Sequence, residues 1–201
     1  ALIAAGAFSF EAGIRLVRRR SEIMEEIALR NPGKMAAVMD LPFDTAKEIC
    51  LKASVEIANI NAPGQVVISG PAQAVDKASK LCLQAGAKRV IELEVSGGFH
   101  SSLMFEASGE LRKALDSTPI SCASIPVISN YTAMDEYTAA EIKENLVYQV
   151  YSPVRWEASM RYILSKGVTR FYEFGPGKVL KSLMRRIDAN AEVFNIEKAE
   201  D

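Results

Sequence analysis

Apolar residues recur with a helical period in the N-terminal part of the chain. On a helical wheel of about 100° per residue centred on Val17, they form one broad arc. The arc contains Ile14, Leu16, Ile23, Met24, Ile27 and Ala28. The pattern predicts a helix over residues 9–29, with Ser9 as its N-cap and Asn31-Pro32-Gly33 as its stop signal.

Residues 1–7 are apolar on every side and have no N-cap residue before them. Such a composition is typical of a helix enclosed by a core. The chain is therefore expected to start inside a helix, so that a leading strand and turn would lie outside it.

The pattern then alternates between the periods of strands and helices. Strands are predicted at residues 34–41, 55–61, 65–69 and 88–95, and helices at 43–53 and 72–85. This β-α-β-β-α-β order is that of a ferredoxin-like unit. It predicts a subdomain over residues 33–95, inserted into a larger domain that contains residues 1–32 and 96–201.

The remaining segment continues the alternation. Helices are predicted at residues 102–115, 139–151, 154–166 and 178–187, and strands at 126–130 and 170–174. Strands that alternate with helices on both sides of the insert favour a mostly parallel sheet covered on both faces. The fold class expected is α/β, with an α/β-hydrolase-like core and an inserted ferredoxin-like subdomain.

Composition narrows the functional classes. With 49% apolar residues and a net charge of −1, the 201-residue chain can bury a core and has no bulk charge that would attract nucleic acid or a membrane surface. No window is apolar enough for a membrane span, and no signal-peptide pattern is present. The three widely spaced cysteines suggest neither disulfides nor a zinc site, and they favour a reducing, cytoplasmic location.

His100 is the only histidine and the first candidate for chemistry. It follows a predicted strand and the Gly97-Gly98 pair, and it precedes a predicted helix. Ligands and catalytic groups gather at such strand ends, and a helix N-terminus disfavours the imidazolium, which leaves a neutral base. The alternative is a hydrogen-bonded histidine that serves packing alone.

Arg20 is the exception within the apolar arc of the first helix. Arg15, Arg18 and Arg19 lie opposite, interleaved with glutamates, as on a solvated face. An arginine that points inward needs a carboxylate or a phosphate as its partner. Arg20 is therefore either an anion-binding residue or half of a structural ion pair.

Three side-chain amides are further candidates. Gln149 lies among the buried positions Leu146 and Val150 on the wheel of its helix, so it needs polar partners. Asn59 and Asn61 share one face of their strand by the two-residue period. They could bind a ligand or cap the neighbouring turn.

Six stretches together resemble the malonyl-CoA:acyl carrier protein transacylase family, which loads malonyl groups for fatty acid synthesis. They are ALIAAGA (1–7), LVRRR (16–20), NAPGQVVISG (61–70), GFHSSLM (98–104), YSPVRW (151–156) and EFGPGKVL (173–180). The resemblance spans nearly the whole chain and keeps the order of the family's motifs.

The resemblance implies a role for each candidate. His100 matches the general base, and Gln149 matches the residue whose main-chain carbonyl orients the imidazole. Arg20 matches the arginine that pairs with the free carboxylate of the malonyl group. Asn61 and Asn59 match residues that line the acyl and pantetheine channel. Phe99 matches a malonyl-selecting position that leaves little room for an α-methyl branch.

The family's nucleophile elbow, Gly-His-Ser-Leu-Gly-Glu, is absent from this sequence. In the family it comes directly before the segment that matches Ala1, within an N-terminal portion of roughly ninety residues. Ser101 and Ser102 adjoin His100, but residues one and two apart on a helix do not face each other. The serine is therefore expected outside this chain, and the chain alone is expected to be inactive and poorly soluble.

The implied reaction moves malonyl from malonyl-CoA to the pantetheine thiol of acyl carrier protein through a malonyl-serine intermediate. It implies no cofactor and no metal, because malonyl-CoA is a substrate. A monomer is expected for the full-length protein, in the cytoplasm or in the organelle that makes fatty acids. A basic run, Lys178, Lys181, Arg185 and Arg186, is either a docking face for an acidic carrier or a solvated helix face.

Three alternatives remain open from the sequence. The first is a related acyltransferase with another acyl preference. The second is a serine hydrolase, which hands the acyl group to water. The third is a non-catalytic ligand-binding module, since ferredoxin-like folds serve many functions.

Overall fold

The computed structural model describes residues 1–198. Its first regular element is helix α1 (Phe10–Arg30), which begins as predicted with Ser9 as its N-cap: the Ala12 amide donates to Ser9 Oγ over 3.2 Å. The helix buries Ile23, Met24, Ile27 and Ala28. Ile14 and Val17 are 50% and 59% exposed, so the predicted centre of the apolar arc was wrong.

Residues 1–7 form turns instead of the expected helix. One α-type bond joins the Ala5 amide to the Ala1 carbonyl, but the Ala7 amide reaches back to Leu2 and the Gly6 amide to Ile3. Gly6 adopts a φ of +75°, which ends any helical repeat at that point. The segment is nevertheless packed, since Ala5 and Ala7 are buried.

The predicted ferredoxin-like order is present. It consists of β1 (Gly33–Met39), α2 (Phe43–Ala53), β2 (Glu56–Ala62), β3 (Gln65–Pro71), α3 (Ala72–Gln84) and β4 (Arg89–Glu92). The strands form one antiparallel sheet in the order β2-β3-β1-β4, with α2 and α3 packed on one face over a shared apolar core. The division of the chain into this subdomain, residues 33–95, and a larger domain stays a prediction.

Strand β4 is shorter than predicted, because the chain turns away after Glu92. The Leu93 amide still donates to the Met35 carbonyl, but the Val95 amide donates to Leu93 and closes a tight turn. His100 therefore lies on a loop well beyond the end of the strand and not at its edge.

After His100 come a 3₁₀ turn (Ser102–Met104) and α4 (Phe105–Asp116). The elements that follow are β5 (Val127–Ile128), β6 (Asp135–Glu136), α5 (Ala139–Gln149), α6 (Trp156–Ser165), β7 (Arg170–Phe174), α7 (Val179–Ile187) and β8 (Glu192–Ile196). Strands β5 and β6 pair antiparallel, and β7 and β8 pair parallel. The α/β class is confirmed, and β6 and β8 are strands that the sequence pattern did not predict.

A second apolar core joins α1, α4 and α5, with Ile23, Leu111 and Ile142 among its fully buried members. The edge strand β2 connects the ferredoxin-like sheet to this region. The Ile60 amide donates to the Val154 carbonyl over 2.9 Å, and the Val154 amide donates to Ala58 over 2.8 Å. Within residues 1–198, none of the helices combines the length and the hydropathy that crossing a bilayer requires.

Candidate functional site

The loop that carries His100 packs closely against α1 because it begins with two buried glycines. A Cβ at Gly97 would lie 2.6 Å from Ala28 Cβ, and one at Gly98 would lie 2.8 Å from Leu103 Cδ1. At Gly97 only glycine allows the approach, because Ala28 Cβ is fixed to the helix backbone, whereas Leu103 Cδ1 is the end of a flexible side chain. His100 itself has a φ of +55°, a left-handed conformation that is uncommon for residues other than glycine.

Two main-chain carbonyls hold the imidazole of His100. Its Nδ1 lies 3.0 Å from the Gln149 oxygen and 3.2 Å from the Ser152 oxygen. Because carbonyls only accept, Nδ1 carries the proton in the neutral ring, and Nε2 presents its lone pair. Among the described residues, none forms a hydrogen bond with Nε2, so this atom is available as a base.

The surroundings of His100 favour its neutral form. Burial lowers the pKa of the imidazole, and the nearby Arg20 cation lowers it further. The hydrogen bonds to Gln149 and Ser152 act in the opposite direction without reversing the shift. A neutral imidazole with a free Nε2 is the state required of a general base.

Arg20 differs from its three arginine neighbours as predicted. Arg15, Arg18 and Arg19 each form an exposed ion pair with a glutamate of the same helix. Within residues 1–198, Arg20 forms no ion pair and no side-chain hydrogen bond, although it is half-buried and burial lowers its pKa. This favours the anion-binding interpretation over a structural ion pair.

A cavity of about 440 Å³ lies beside Arg20. Arg20 and Gln149 both line it, and the main-chain carbonyl of Gln149 is the one that holds His100 Nδ1. Most of the other lining is apolar and includes Leu2, Ile3 and Val17. The exposure of Val17 follows from this position. A pocket that is largely apolar and has one cation suits a small ligand with one anionic end.

Phe99 lies on the other side of Arg20. Together with Met24 and Ser96 the two residues line a second cleft of about 300 Å³. The structure thus brings Arg20, Phe99, His100 and Gln149 together, although these residues lie on three separate segments of the chain.

Asn59 and Asn61 line neither the cavity nor the cleft. Strand β2 carries β-bulges between Ile57 and Asn59 and again between Ile60 and Ala62. These interrupt the two-residue alternation, so the predicted shared face does not follow from it. Asn59 does form a bridge with Val154, which places it near Ser152, the second carbonyl partner of His100.

Two contributors to the site were not identified from the sequence. Ser152 offers only its carbonyl, which no side-chain pattern reveals. Glu136 is buried on the cavity wall and accepts a 2.6 Å hydrogen bond from Asn145. Asn145 lies one helical turn before Gln149 on α5, and this spacing could have indicated that both face the cavity.

The serines next to His100 make other contacts. Ser101 is fully buried, and its hydroxyl donates to the Gly98 carbonyl over 2.6 Å. The Ser102 hydroxyl donates to Glu56 over 2.6 Å. Neither hydroxyl is bonded to the imidazole, which agrees with the expectation that neither is the nucleophile.

Comparison with known proteins identifies the family. The profile of the family described as "Acyl transferase domain" matches residues 1–196. The malonyl CoA-acyl carrier protein transacylase of Bacillus subtilis is 43% identical over 205 residues, which cover 100% of this chain and 65% of that protein. The enzyme of the same name from Staphylococcus aureus is 39% identical, with 67% of its length covered.

Solved structures agree with these relatives. An acyl carrier protein S-malonyltransferase from Vibrio cholerae superposes with a TM-score of 0.95 at 37% identity, covering 100% of this chain and 67% of that one. A malonyl-transacylase in complex with a type II polyketide synthase acyl-carrier protein gives 0.96 at 34% identity, with coverages of 100% and 66%. The chain thus spans about two thirds of the length of its relatives. It belongs to the acyl transferase domain family and, within it, to the malonyl CoA-acyl carrier protein transacylases.

Proposed function

We propose that this chain carries the base and the carboxylate-binding group of an enzyme that moves malonyl from malonyl-CoA to the pantetheine thiol of acyl carrier protein. One observation carries the proposal: Arg20, half-buried and without an ion-pair partner among residues 1–198, shares a cavity with Gln149, whose carbonyl holds His100 in the basic tautomer. The names of the relatives support the same substrates.

The first half-reaction forms an ester on a serine that we place outside this chain. The serine oxygen attacks the thioester carbonyl of malonyl-CoA, and His100 Nε2 takes the hydroxyl proton. The carbon–sulfur bond then breaks, and His100 returns the proton to the leaving CoA thiolate. The Gln149 and Ser152 carbonyls stabilise the imidazolium that forms between these steps, since both accept from Nδ1.

The second half-reaction reverses these roles. The pantetheine thiol of acyl carrier protein gives its proton to Nε2, and its sulfur attacks the malonyl-serine ester. The ester bond breaks, and His100 protonates the serine oxygen again. The reaction needs no resident cofactor, since malonyl-CoA is consumed as a substrate.

Arg20 would hold the malonyl carboxylate during both half-reactions. Its planar guanidinium can form two parallel hydrogen bonds with a carboxylate, which sets the register of the acyl chain. An acetyl group would leave the half-buried cation without a partner, so acetyl transfer is disfavoured. Phe99, across the cleft from Arg20, would limit the space for an α-methyl branch. Asn59 and Asn61 remain candidates for the channel that holds the pantetheine.

The decisive experiment uses the protein that carries the serine together with this chain. Intact-protein mass spectrometry after mixing with malonyl-CoA should show a malonyl adduct, which holo acyl carrier protein then discharges by becoming malonylated. Discharge to water at the same rate without the carrier would indicate a hydrolase. The absence of any adduct would favour the ligand-binding module, and an adduct only with other acyl-CoA substrates would indicate another acyl preference.

The proposal also covers the compartment and the oligomeric state of the enzyme. We place it in the cytoplasm as a monomer. All three cysteines are free thiols, which fits a reducing compartment. Size-exclusion chromatography of the full-length protein tests the oligomeric state.

A further inference from the structure

A carboxylate outside the cavity is bonded to the loop that carries His100. Glu56, the first residue of β2, accepts two hydrogen bonds from Ser102 with one oxygen, Oε1. The Ser102 amide donates over 2.8 Å and the Ser102 hydroxyl over 2.6 Å. The two residues are 46 positions apart in the sequence, so this is a tertiary contact and not a local turn.

This contact is important because it lies two residues after His100. Ser102 is two residues after His100 and begins the 3₁₀ turn, where amide groups have no partner within the turn itself. His100 adopts a left-handed φ of +55°, a conformation that persists only where the surroundings hold it. Glu56 supplies the charged acceptor on the C-terminal side of that strained residue.

Strand β2 also holds the segment that contacts Nδ1 of the imidazole. Two main-chain bonds join β2 to Val154, through Ala58 and Ile60. Val154 is two residues after Ser152, whose carbonyl lies 3.2 Å from His100 Nδ1. Strand β2 therefore fixes both the loop that bears His100 and the segment that bears one of its two carbonyl partners.

We propose that Glu56 is a positioning residue for His100. Through Ser102 it keeps the His100 loop in its left-handed turn, so that Nδ1 faces the two carbonyls and Nε2 stays free of hydrogen bonds to the described residues. The catalytic consequence rests on the proposed function. The effect on the imidazole itself does not, and it can be measured without turnover.

Nuclear magnetic resonance of the serine-bearing protein tests the proposal directly. His100 is the only histidine within these 201 residues, and its ring signals are identified by their loss in His100→Ala. In the wild type the neutral ring should carry its proton on Nδ1. In Glu56→Ala the ¹⁵N spectrum should shift toward the Nε2–H form, which a free histidine prefers. The imidazole pKa should rise toward its ordinary value, since part of the burial that lowers it is lost.

Two variants serve as comparisons. Glu56→Gln keeps an oxygen acceptor and should leave the ring spectrum close to that of the wild type. Glu48→Ala removes an exposed glutamate of helix α2 that pairs with Lys52, and it should change nothing at His100. An unchanged His100 spectrum in a folded Glu56→Ala, or a Glu56→Gln as altered as the alanine variant, would overturn the proposal.

If Glu56→Ala does not fold, Ser102→Ala decides, because it removes one of the two bonds and keeps the amide. It should shift the tautomer balance partly in the same direction, and an unchanged spectrum would again overturn the proposal. In the serine-bearing protein, Glu56→Ala should lower kcat about tenfold and change KM for malonyl-CoA less than about twofold. Altered ring signals with unchanged kcat would contradict the proposed function of His100 and not the positioning by Glu56.

Discussion

His100 shows how its surroundings set the chemistry of one side chain. Burial lowers the pKa of the imidazole and the nearby Arg20 cation lowers it further, which keeps the ring neutral, as a base must be. The neutral base does not compete with the guanidinium for a substrate carboxylate, as an imidazolium would. An aspartate beside the imidazole would compete with the substrate carboxylate for the guanidinium, which gives a physical reason for orienting His100 with uncharged main-chain carbonyls.

Replacement of Arg20 tests carboxylate recognition. Arg20→Ala should lower malonyl transfer by about a hundredfold, the scale expected when one partner of a buried ionic hydrogen bond is removed. Acetyl transfer should not fall, because the variant has no cation that acetyl would leave unpaired, so the ratio of malonyl to acetyl transfer falls. Arg18→Ala is the matched control, because Arg18 forms only an exposed ion pair. A malonyl to acetyl ratio equal to that of the wild type would remove Arg20 from this role.

Replacement of His100 tests the base. His100→Ala should reduce transfer by about a hundredfold to ten-thousandfold, the range typical of a lost general base. Both the formation and the discharge of the malonyl adduct should slow, since the imidazole moves a proton in each. Rapid-quench measurement of the two half-reactions checks this. A variant within about tenfold of the wild type would show that another group acts as base.

The pH dependence follows from the direction of the His100 shift. Because burial and Arg20 lower its pKa, kcat/KM should hold from neutral pH to below about 6.5 and fall only at lower pH. His100 also contributes stability that is present above its unfolded-state pKa and is lost as pH falls through the lower folded-state value. A pH–rate profile with an acid limb above pH 6.5 would contradict the assignment.

At the scale of elements, helix α5 contributes the Gln149 carbonyl to the site because the helix ends at that residue. Gln149 is its last residue, and the final carbonyls of a helix have no partner within it. The His100 Nδ1–H takes the place of such a partner. The other end of α5 is closed by a capping box, in which Thr138 and Glu141 bond reciprocally.

The capping box predicts a measurable share of stability. Thr138→Ala should lower the free energy of unfolding by about 1 kcal/mol, because the Glu141 amide loses its acceptor. Thr138→Ser should retain most of the stability that the cap contributes. Urea denaturation of the two variants checks this, with Ser117→Ala, an exposed hydroxyl at the end of α4, as the control. Equal unfolding midpoints for Thr138→Ala and the wild type would exclude the contribution.

On the scale of the whole molecule, the site lies where the ferredoxin-like sheet meets the second core. Strand β2 bonds to both the His100 loop and the Val154 segment, so the two parts of the molecule are joined through the site itself. Helix α7 and its N-cap residue Lys178 place Lys178, Lys181 and Arg185 on one face. Within the described residues these three side chains form no ion pair, whereas Arg186 is bonded to Asp40.

We expect the α7 face to attract an acidic carrier protein. A Lys181→Glu and Arg185→Glu double variant should raise KM for acyl carrier protein several-fold at low salt and much less at high salt, since such attraction is screened. Formation of the malonyl adduct from malonyl-CoA should stay unchanged. Lys52→Glu, which reverses an exposed charge on α2, provides the control. An identical carrier KM in the double variant would show that α7 is a solvated face only.

The sequence alone determined the elements whose signals are local. Helix α2 has the predicted bounds, and Ser9 caps α1, because apolar period and capping chemistry act within a few residues. It also singled out Arg20 and Gln149, since an inward-facing polar side chain on an apolar face requires a partner, and it singled out His100 as the only histidine of the sequence. The family resemblance supplied the roles of these residues, which the pattern alone left open.

The tertiary structure decided what depends on distant partners. Strands β6 and β8 exist through pairing with β5 and β7, and two residues of β6 carry no periodic signal of their own. The left-handed turn at His100 is held by contacts between segments far apart in the sequence. These contacts are the bond from Ser102 to Glu56 and the bond from His100 to the Ser152 carbonyl. Such contacts form only when the folded chain offsets the entropy of bringing them together, so no local pattern could have shown them.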